Sequence, residues 1–185
     1  MLISDAQRDL GRAYVGGGPG VVISALIWFV AAFVQHGQGT GTAFAVLFFG
    51  GMFIFPLSKL IARFGFRREN ESRENPLGMT ALESTVAMIG GLLAAWLFLP
   101  SRPELVFALA AIAVGTHYAV FKTAYGDRLF WVLGGVITAI GLVDIFVTPL
   151  HGGVALLVAV TELVFGIVLT ARAIRPETPT GGAPA

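Results

Sequence analysis

The chain has 185 residues, of which 56% are hydrophobic and 12% charged, and its mean hydropathy is +0.81. Soluble domains carry about 25% charged residues, so half that fraction leaves too little polar surface to cover a globule in water and makes the bilayer the natural solvent. A formal net charge of +1 argues against a nucleic-acid partner, and the absence of Cys excludes disulfides, thiol chemistry and Cys-based metal sites.

Residues 1–15 mix both charge signs in Ser4-Asp-Ala-Gln-Arg-Asp-Leu-Gly-Arg12, which does not read as a signal peptide. Ser4 with Gln7 fits a capping box opening a short cytoplasmic helix over about 4–15. Gly16-Gly-Gly-Pro-Gly20 reads as a flexible elbow, with Pro19 in the first turn of a helix where its missing N–H costs nothing. No strand precedes it and it has no dinucleotide or P-loop spacing. Six apolar stretches then approach the roughly 20 residues of a spanning helix: about Gly16–Gln35, Ala43–Ala62, Thr80–Leu99, Leu105–Phe121, Leu129–Val147 and Val154–Ala173. Turn formers separate them at Gly37-Gln-Gly-Thr-Gly41, Asn75-Pro-Leu-Gly78, Pro100-Ser-Arg-Pro103, Gly126-Asp127 and Pro149-Leu-His-Gly-Gly153. No alternating pattern supports strands. The tail 176–185 has the composition of disorder.

The long polar island between the second and third stretches, with its loop at about 63–79, carries Lys59, Arg63, Arg67, Arg68 and Arg73. With six spans, the N-terminal segment, this island, the 122–128 loop and the tail all fall on one side. They hold every cation of the chain except Arg102. Such a bias over short loops places both termini in the cytoplasm. The expected fold is therefore all-α: a polytopic bundle of six transmembrane helices in three hairpins, one domain over 1–175. The hairpins return to cationic ends at Lys59, Lys122 and Arg172, a weak internal repeat.

The elbow Ala13-Tyr-Val-Gly-Gly-Gly-Pro-Gly20, the returning segment Gly50-Gly-Met-Phe-Ile-Phe-Pro-Leu-Ser58 and the approach Asn75-Pro-Leu-Gly78 to Leu82-Glu83 resemble a family of uncharacterised bacterial multi-pass membrane proteins, most clearly over about residues 1–100. By hairpin count the architecture is also similar to six-span membrane proteins of the acid-resistance type. The resemblance implies a bacterial inner-membrane address and brings no activity with it.

Ionisable groups inside a membrane are expensive and are functional candidates by default. Glu162, mid-way along the sixth stretch, shares a helical face with Ala155, Ala159, Gly166 and Thr170, so it points into the bundle. It reads as a proton or cation site, or as a hydrogen-bonded packing residue. Asp144 lies about one turn inside the outer end of the fifth stretch, suited to a water-bridged pair or polar path with Glu162, or to reaching the outer interface. His117 lies off the close-packing stripe Ala111, Gly115, Ala119 and Thr123, and reads as a relay or as a satisfied core residue. Glu83, in the first turn of the third stretch, complements the helix dipole at the cytoplasmic edge. Pro56 cannot donate to the Met52 carbonyl and kinks its helix, which makes it a hinge candidate with Gly50 and Gly51. His36 and His151 fall in outer loops and make a weak metal case. Trp28, Trp96 and Trp131 read partly as interfacial anchors and partly as packing.

No HExxH or GxSxG motif occurs, so the expectation is a protein without enzymatic activity, cofactor or metal. Its expected partners are the bilayer and anionic head groups at the island's arginines, with a homo-oligomer allowed. Two readings stand: a non-enzymatic membrane protein working by contacts in the bilayer, or a small proton-linked transporter or channel using Glu162 and Asp144.

Overall fold

In a computed structural model of the chain, residues 1–150 and 152–175 are described, and their regular structure is helical throughout. His151, expected in an outer loop, and the tail 176–185 lie outside the described residues. Seven helices follow in order: α1 (Ile3–Ala13), α2 (Gly18–Gly51), α3 (Ile54–Leu60), α4 (Thr80–Trp96), α5 (Val106–Tyr125), α6 (Leu129–Phe146) and α7 (Val154–Ala173). Four helical stretches, Val15–Gly51, Pro103–Tyr125, Leu129–Phe146 and Val154–Ala173, are long and apolar enough to cross a membrane, and α4 is a shorter apolar helix. The outer surface of the bundle is correspondingly apolar. Phe33, Leu97, Phe146 and Val164 are all exposed, at 83%, 78%, 78% and 54%.

The 34 residues of α2 are not straight. A straight helix of that length would run about 50 Å, yet its two ends meet each other's neighbours: a Cβ on Gly50 would fall 2.8 Å from Ile27, and one on Gly20 3.7 Å from Ser58. The reversal is at Gly39, whose φ of 82° and ψ of 171° only glycine adopts without strain. Of the five residues expected to form the Gly37–Gly41 turn, this one suffices. The second leg breaks again at Met52–Phe53, one turn before Pro56, where the Phe53 N–H bonds back to Gly50 at 2.9 Å. The helical ladder is thus interrupted where Pro56 has no N–H to donate to Met52. The helix continues as α3 and ends in a π-turn over Ile61–Gly65.

The remaining helices pair through small residues. A Cβ on Gly115 of α5 would lie 2.3 Å from Thr138 Oγ1 and 2.7 Å from the Gly134 carbonyl of α6. Gly18 of α2 approaches Thr170 as closely, at 2.2 Å, and Gly166 of α7 meets Val22 at 2.7 Å. The core between these pairs is aromatic. Phe44 stands edge-on to Trp96 and to Phe107, and Phe107 packs on Trp28 with centroids 6.0 Å apart. Trp28, 1% exposed, is a core residue rather than an interfacial anchor, while Trp131 remains 57% exposed.

One end of the bundle is closed by polar contacts. Helix α1 buries Ala6, Leu10 and Ala13 at helical spacing and lies against α5. The Ser4–Gln7 capping box does not form. The helix starts at Ile3 with Leu2 in the cap position and no side-chain cap. Gln7 instead donates to the Thr123 carbonyl at 2.8 Å, a tertiary use that outweighs the local one. The 66–79 segment has no regular helix but is held to α1. Asn75, 8% exposed, donates to the Ala6 carbonyl and to Asp9, both at 2.9 Å, and the Ser72 N–H donates to Asp9 at 2.8 Å. Burial pushes the Asp9 carboxyl up, but the hydrogen bonds from Asn75, Ser72 and Arg12 outweigh it and hold Asp9 below its usual value. Arg172 at the end of α7 pairs with Asp127 at 3.2 Å, tying the α5–α6 turn to the same end. Nor is the glycine elbow a free linker. Gly17, at φ 76°, is wedged against Phe130 and Tyr125.

Candidate functional site

Helix α7 turns Ala155, Ala159, Glu162 and Gly166 to one face, and all four are buried, as their four- and three-residue spacing requires. That face packs on the first leg of α2, where Gly18 and Val22 admit the close approach described above. Glu162 is 0% exposed. The Tyr118 hydroxyl of α5 donates to its Oε1 at 2.9 Å, and both groups are buried. The Ser24 hydroxyl of α2 faces the same pair, and Oε2 has no hydrogen-bond partner. Tyr118 is fixed by its ring, which stacks on Phe130 with centroids 6.4 Å apart and planes at 24°. Three helices thus bring a carboxyl, a phenol and an aliphatic hydroxyl together in an apolar interior. No cation pairs with Glu162 among the described residues. The site can exchange hydrogen bonds and hold a proton.

The other polar residues of the spans have partners of their own. His117 Nδ1 lies 2.7 Å from Ser84 Oγ, which joins α5 to α4, and its ring stands edge-on to Phe121 at 4.7 Å. Its row does diverge from the Gly115 face, which meets α6. Asp144 accepts the Leu150 N–H at 2.6 Å and so closes the turn leading out of α6. Glu162, His117 and Asp144 share no hydrogen bond with one another. Among the described residues, no three His, Asp or Glu side chains converge on a point where a metal would sit.

The remaining candidates are peripheral. Glu83 is exposed in the first turn of α4. Pro56 and Gly51 line no buried contact, whereas Gly50 is packed under Ile27. Lys59 reaches over the Phe55 ring at 5.9 Å and Arg63 over Phe64 at 6.0 Å. Arg67 and Arg73 are exposed, while Arg68 is half-buried. Two members of the buried cluster, Tyr118 and Ser24, did not emerge from the sequence as partners of Glu162. The signal for Ser24 was there: it is the one hydroxyl side chain between Gly18 and Val34.

Neither the curated proteins nor the solved structures offer a match to this chain. Over residues 3–172 the sequence matches a family of unknown function, DUF7010, and the chain, a membrane protein by its apolar helices, belongs to that family.

Proposed function

We propose that this protein is a six-span, non-enzymatic integral membrane protein of the bacterial inner membrane that acts through contacts in the bilayer rather than by moving a solute. The enclosure of Glu162 carries the reading. Its side chain is fully buried between α2, α5 and α7 and bonded to Tyr118, while His117 and Asp144, the groups a polar path would need, are engaged by Ser84 and by the Leu150 N–H. A buried polar cluster of this kind specifies how helices fit together.

In this reading α2 contributes two spans that reverse at Gly39, the second prolonged by α3, and α4 to α7 contribute four. Both termini lie in the cytoplasm. The gathering of α1, the 66–79 segment, the α5–α6 turn and the end of α7 at one end of the bundle, with every cation but Arg102, supports that orientation. A reporter active only outside the cytoplasm tests it. Fused after Arg175 it is silent, and inserted at Ser101 it is active; the reverse pattern overturns the orientation.

A small proton-linked transporter is the second reading, favoured by the unpartnered Oε2 of Glu162 beside Ser24. The two are separated by reconstituting the protein in liposomes with a pH-sensitive dye under a proton gradient. Leak-level traces for wild type and Glu162→Gln alike are expected. Gradient-dependent flux that the variant loses would install the transporter reading instead.

A further inference from the structure

A cleft of about 840 Å³ opens at the polar end of the bundle, between α1, the 66–79 segment and the end of α7. Its walls carry Arg8, Arg12, Arg68, Arg172 and Arg175 against a single acid, Asp127. Three of these cations already have partners: Arg8 with Asp5, Arg12 with Asp9 and Arg172 with Asp127. Arg68 and Arg175 form no ion pair among the described residues, and the Arg68 Nε is buried without an acceptor. A buried guanidinium N–H that lacks an acceptor carries its desolvation cost uncompensated. Glu71, which sits against Tyr14, is not among the residues lining the cleft.

The backbone points to the same place. Among the described residues, two that are not glycine have positive φ, Val15 at 52° and Arg67 at 54°. A left-handed backbone is unfavourable for any residue with a Cβ, and for a β-branched residue such as Val15 it is a clear outlier. Val15 directly precedes Gly16 and Arg67 directly precedes Arg68, and both Gly16 and Arg68 line the cleft. Strained residues persist where the surroundings over-determine them and gather at binding sites. Here the strain at Arg67 accompanies an Arg68 turned inward, while Arg67 itself is exposed.

We propose that this cleft binds a phosphate-bearing anion, held by Arg68 and Arg175 with Arg12 and Arg172 at its sides. Guanidinium groups match phosphate oxygens in paired, charge-assisted hydrogen bonds. The cleft is larger than a bare phosphate needs. Its wall also includes Leu169 of α7 and the half-exposed Ile174 that follows the helix, next to the apolar outer face of Ile167 and Val168. That combination suits a phospholipid head group whose chains run along α7. The assignment places anionic recognition at Arg68 and the α7 terminus rather than at the exposed Arg67 and Arg73.

The test uses full-length protein purified in a nonionic detergent, with bound lipid counted by native mass spectrometry and thermal midpoints recorded alongside. Phosphatidylglycerol, phosphatidylcholine and millimolar inorganic phosphate are added separately. Phosphatidylglycerol is retained and raises the midpoint, and phosphatidylcholine does neither. Arg68→Gln and Arg175→Gln each weaken phosphatidylglycerol binding about tenfold, the loss of one charge-assisted contact. Arg102→Gln, at the far end of the chain's charge distribution, leaves it unchanged. Midpoint gains from inorganic phosphate equal to those from phosphatidylglycerol keep the site and assign it to free phosphate. Arg175 is exposed, so its variant decides the matter if Arg68→Gln does not fold. Equal retention of both lipids, or wild-type binding by Arg175→Gln together with any folded Arg68→Gln, overturns the proposal.

Discussion

Replacing Tyr118 by Phe removes the hydroxyl that donates to Glu162 Oε1 at 2.9 Å and leaves the ring in its stack on Phe130. Two magnitudes compete here. In a water-soluble core, orphaning a buried acceptor costs about 1–3 kcal/mol. Between membrane helices, measured couplings average about 0.6 kcal/mol and reach about 1.7, because helices separated in lipid also find partners. The smaller scale applies if the six-span reading holds. Tyr118→Phe is then expected to cost about 1 kcal/mol, or roughly 2–4 °C in thermal midpoint for a chain of this size. Glu162→Gln keeps an amide oxygen to accept the phenol and costs less. Glu162→Ala adds a cavity beside Tyr118 and Ser24 and costs about 2–4 kcal/mol, by analogy with other large-to-small core changes. The assay is a double-mutant cycle on the full chain in bicelles, read by thermal or steric-trapping denaturation. A coupling of about 0.5–1.5 kcal/mol between Tyr118→Phe and Glu162→Ala is expected. Strict additivity across the wild type and three well-folded variants would falsify the claim that this hydrogen bond joins α5 to α7.

Two further outcomes follow from the geometry. Gly115→Ala places a methyl 2.3 Å from Thr138 Oγ1 and 2.7 Å from backbone atoms of α6, so the helices must part, at a cost of about 1–3 kcal/mol. Gly135→Ala meets nothing within 4 Å and is neutral or slightly stabilising by helix propensity; equal thermal midpoints for the two variants refute the close-packing account. The clasp of the 66–79 segment on α1 is acid-sensitive. Because Asp9 is held below its usual carboxylate value, its contribution is complete above the unfolded value of about 3.9 and is lost as pH falls through the folded one. Hydrogen exchange at the Ser72 amide, which bonds Asp9, accelerates as pH drops below about 4 once the intrinsic rate is divided out. In Asn75→Ala the same release begins at higher pH. Protection at Ser72 that is indifferent to both changes removes the carboxylate from the account.

What the sequence made legible was local in kind. Apolar runs of spanning length identified α5, α6 and α7 to within a few residues, because in these helices composition and period act together. The face of Glu162 was equally readable from Ala155, Ala159 and Gly166, since a small-residue stripe can only be a packing face. Its partners were not readable. Tyr118 and Ser24 come from helices far away in the chain, and nothing in a helical period says which helix lies opposite. Asp144 is the opposite case. It accepts the Leu150 N–H six residues on, a local contact that neither the polar path with Glu162 nor the reach to the outer interface expected of it would name. In the sequence, the island from Lys59 to Thr80 is a run of charge that sets orientation. The fold adds the Asn75 clasp, whose partners stand 66 and 69 residues away. Gln7 makes the same point on a smaller scale. A local cap was chemically adequate, but the Thr123 carbonyl was better placed.

The packing of α7 on the first leg of α2 joins the last described helix to the first long one, and this sets an order of assembly. Gly18, Val22 and Ser24 leave the ribosome long before Gly166 and Glu162 do. At 5–20 residues per second, the interval is about 7–30 s. Throughout that time the small-residue face of α2 and the Ser24 hydroxyl stand uncovered in the membrane, and Tyr118 awaits its carboxyl. Arrival of α7 covers the face, supplies the acceptor and lets Arg172 latch onto Asp127 in a single event. The seam along the first leg of α2 is therefore closed by α7 rather than by its neighbours in the chain. A chain that stops before Val154 presents the translocation and quality-control machinery with an open seam.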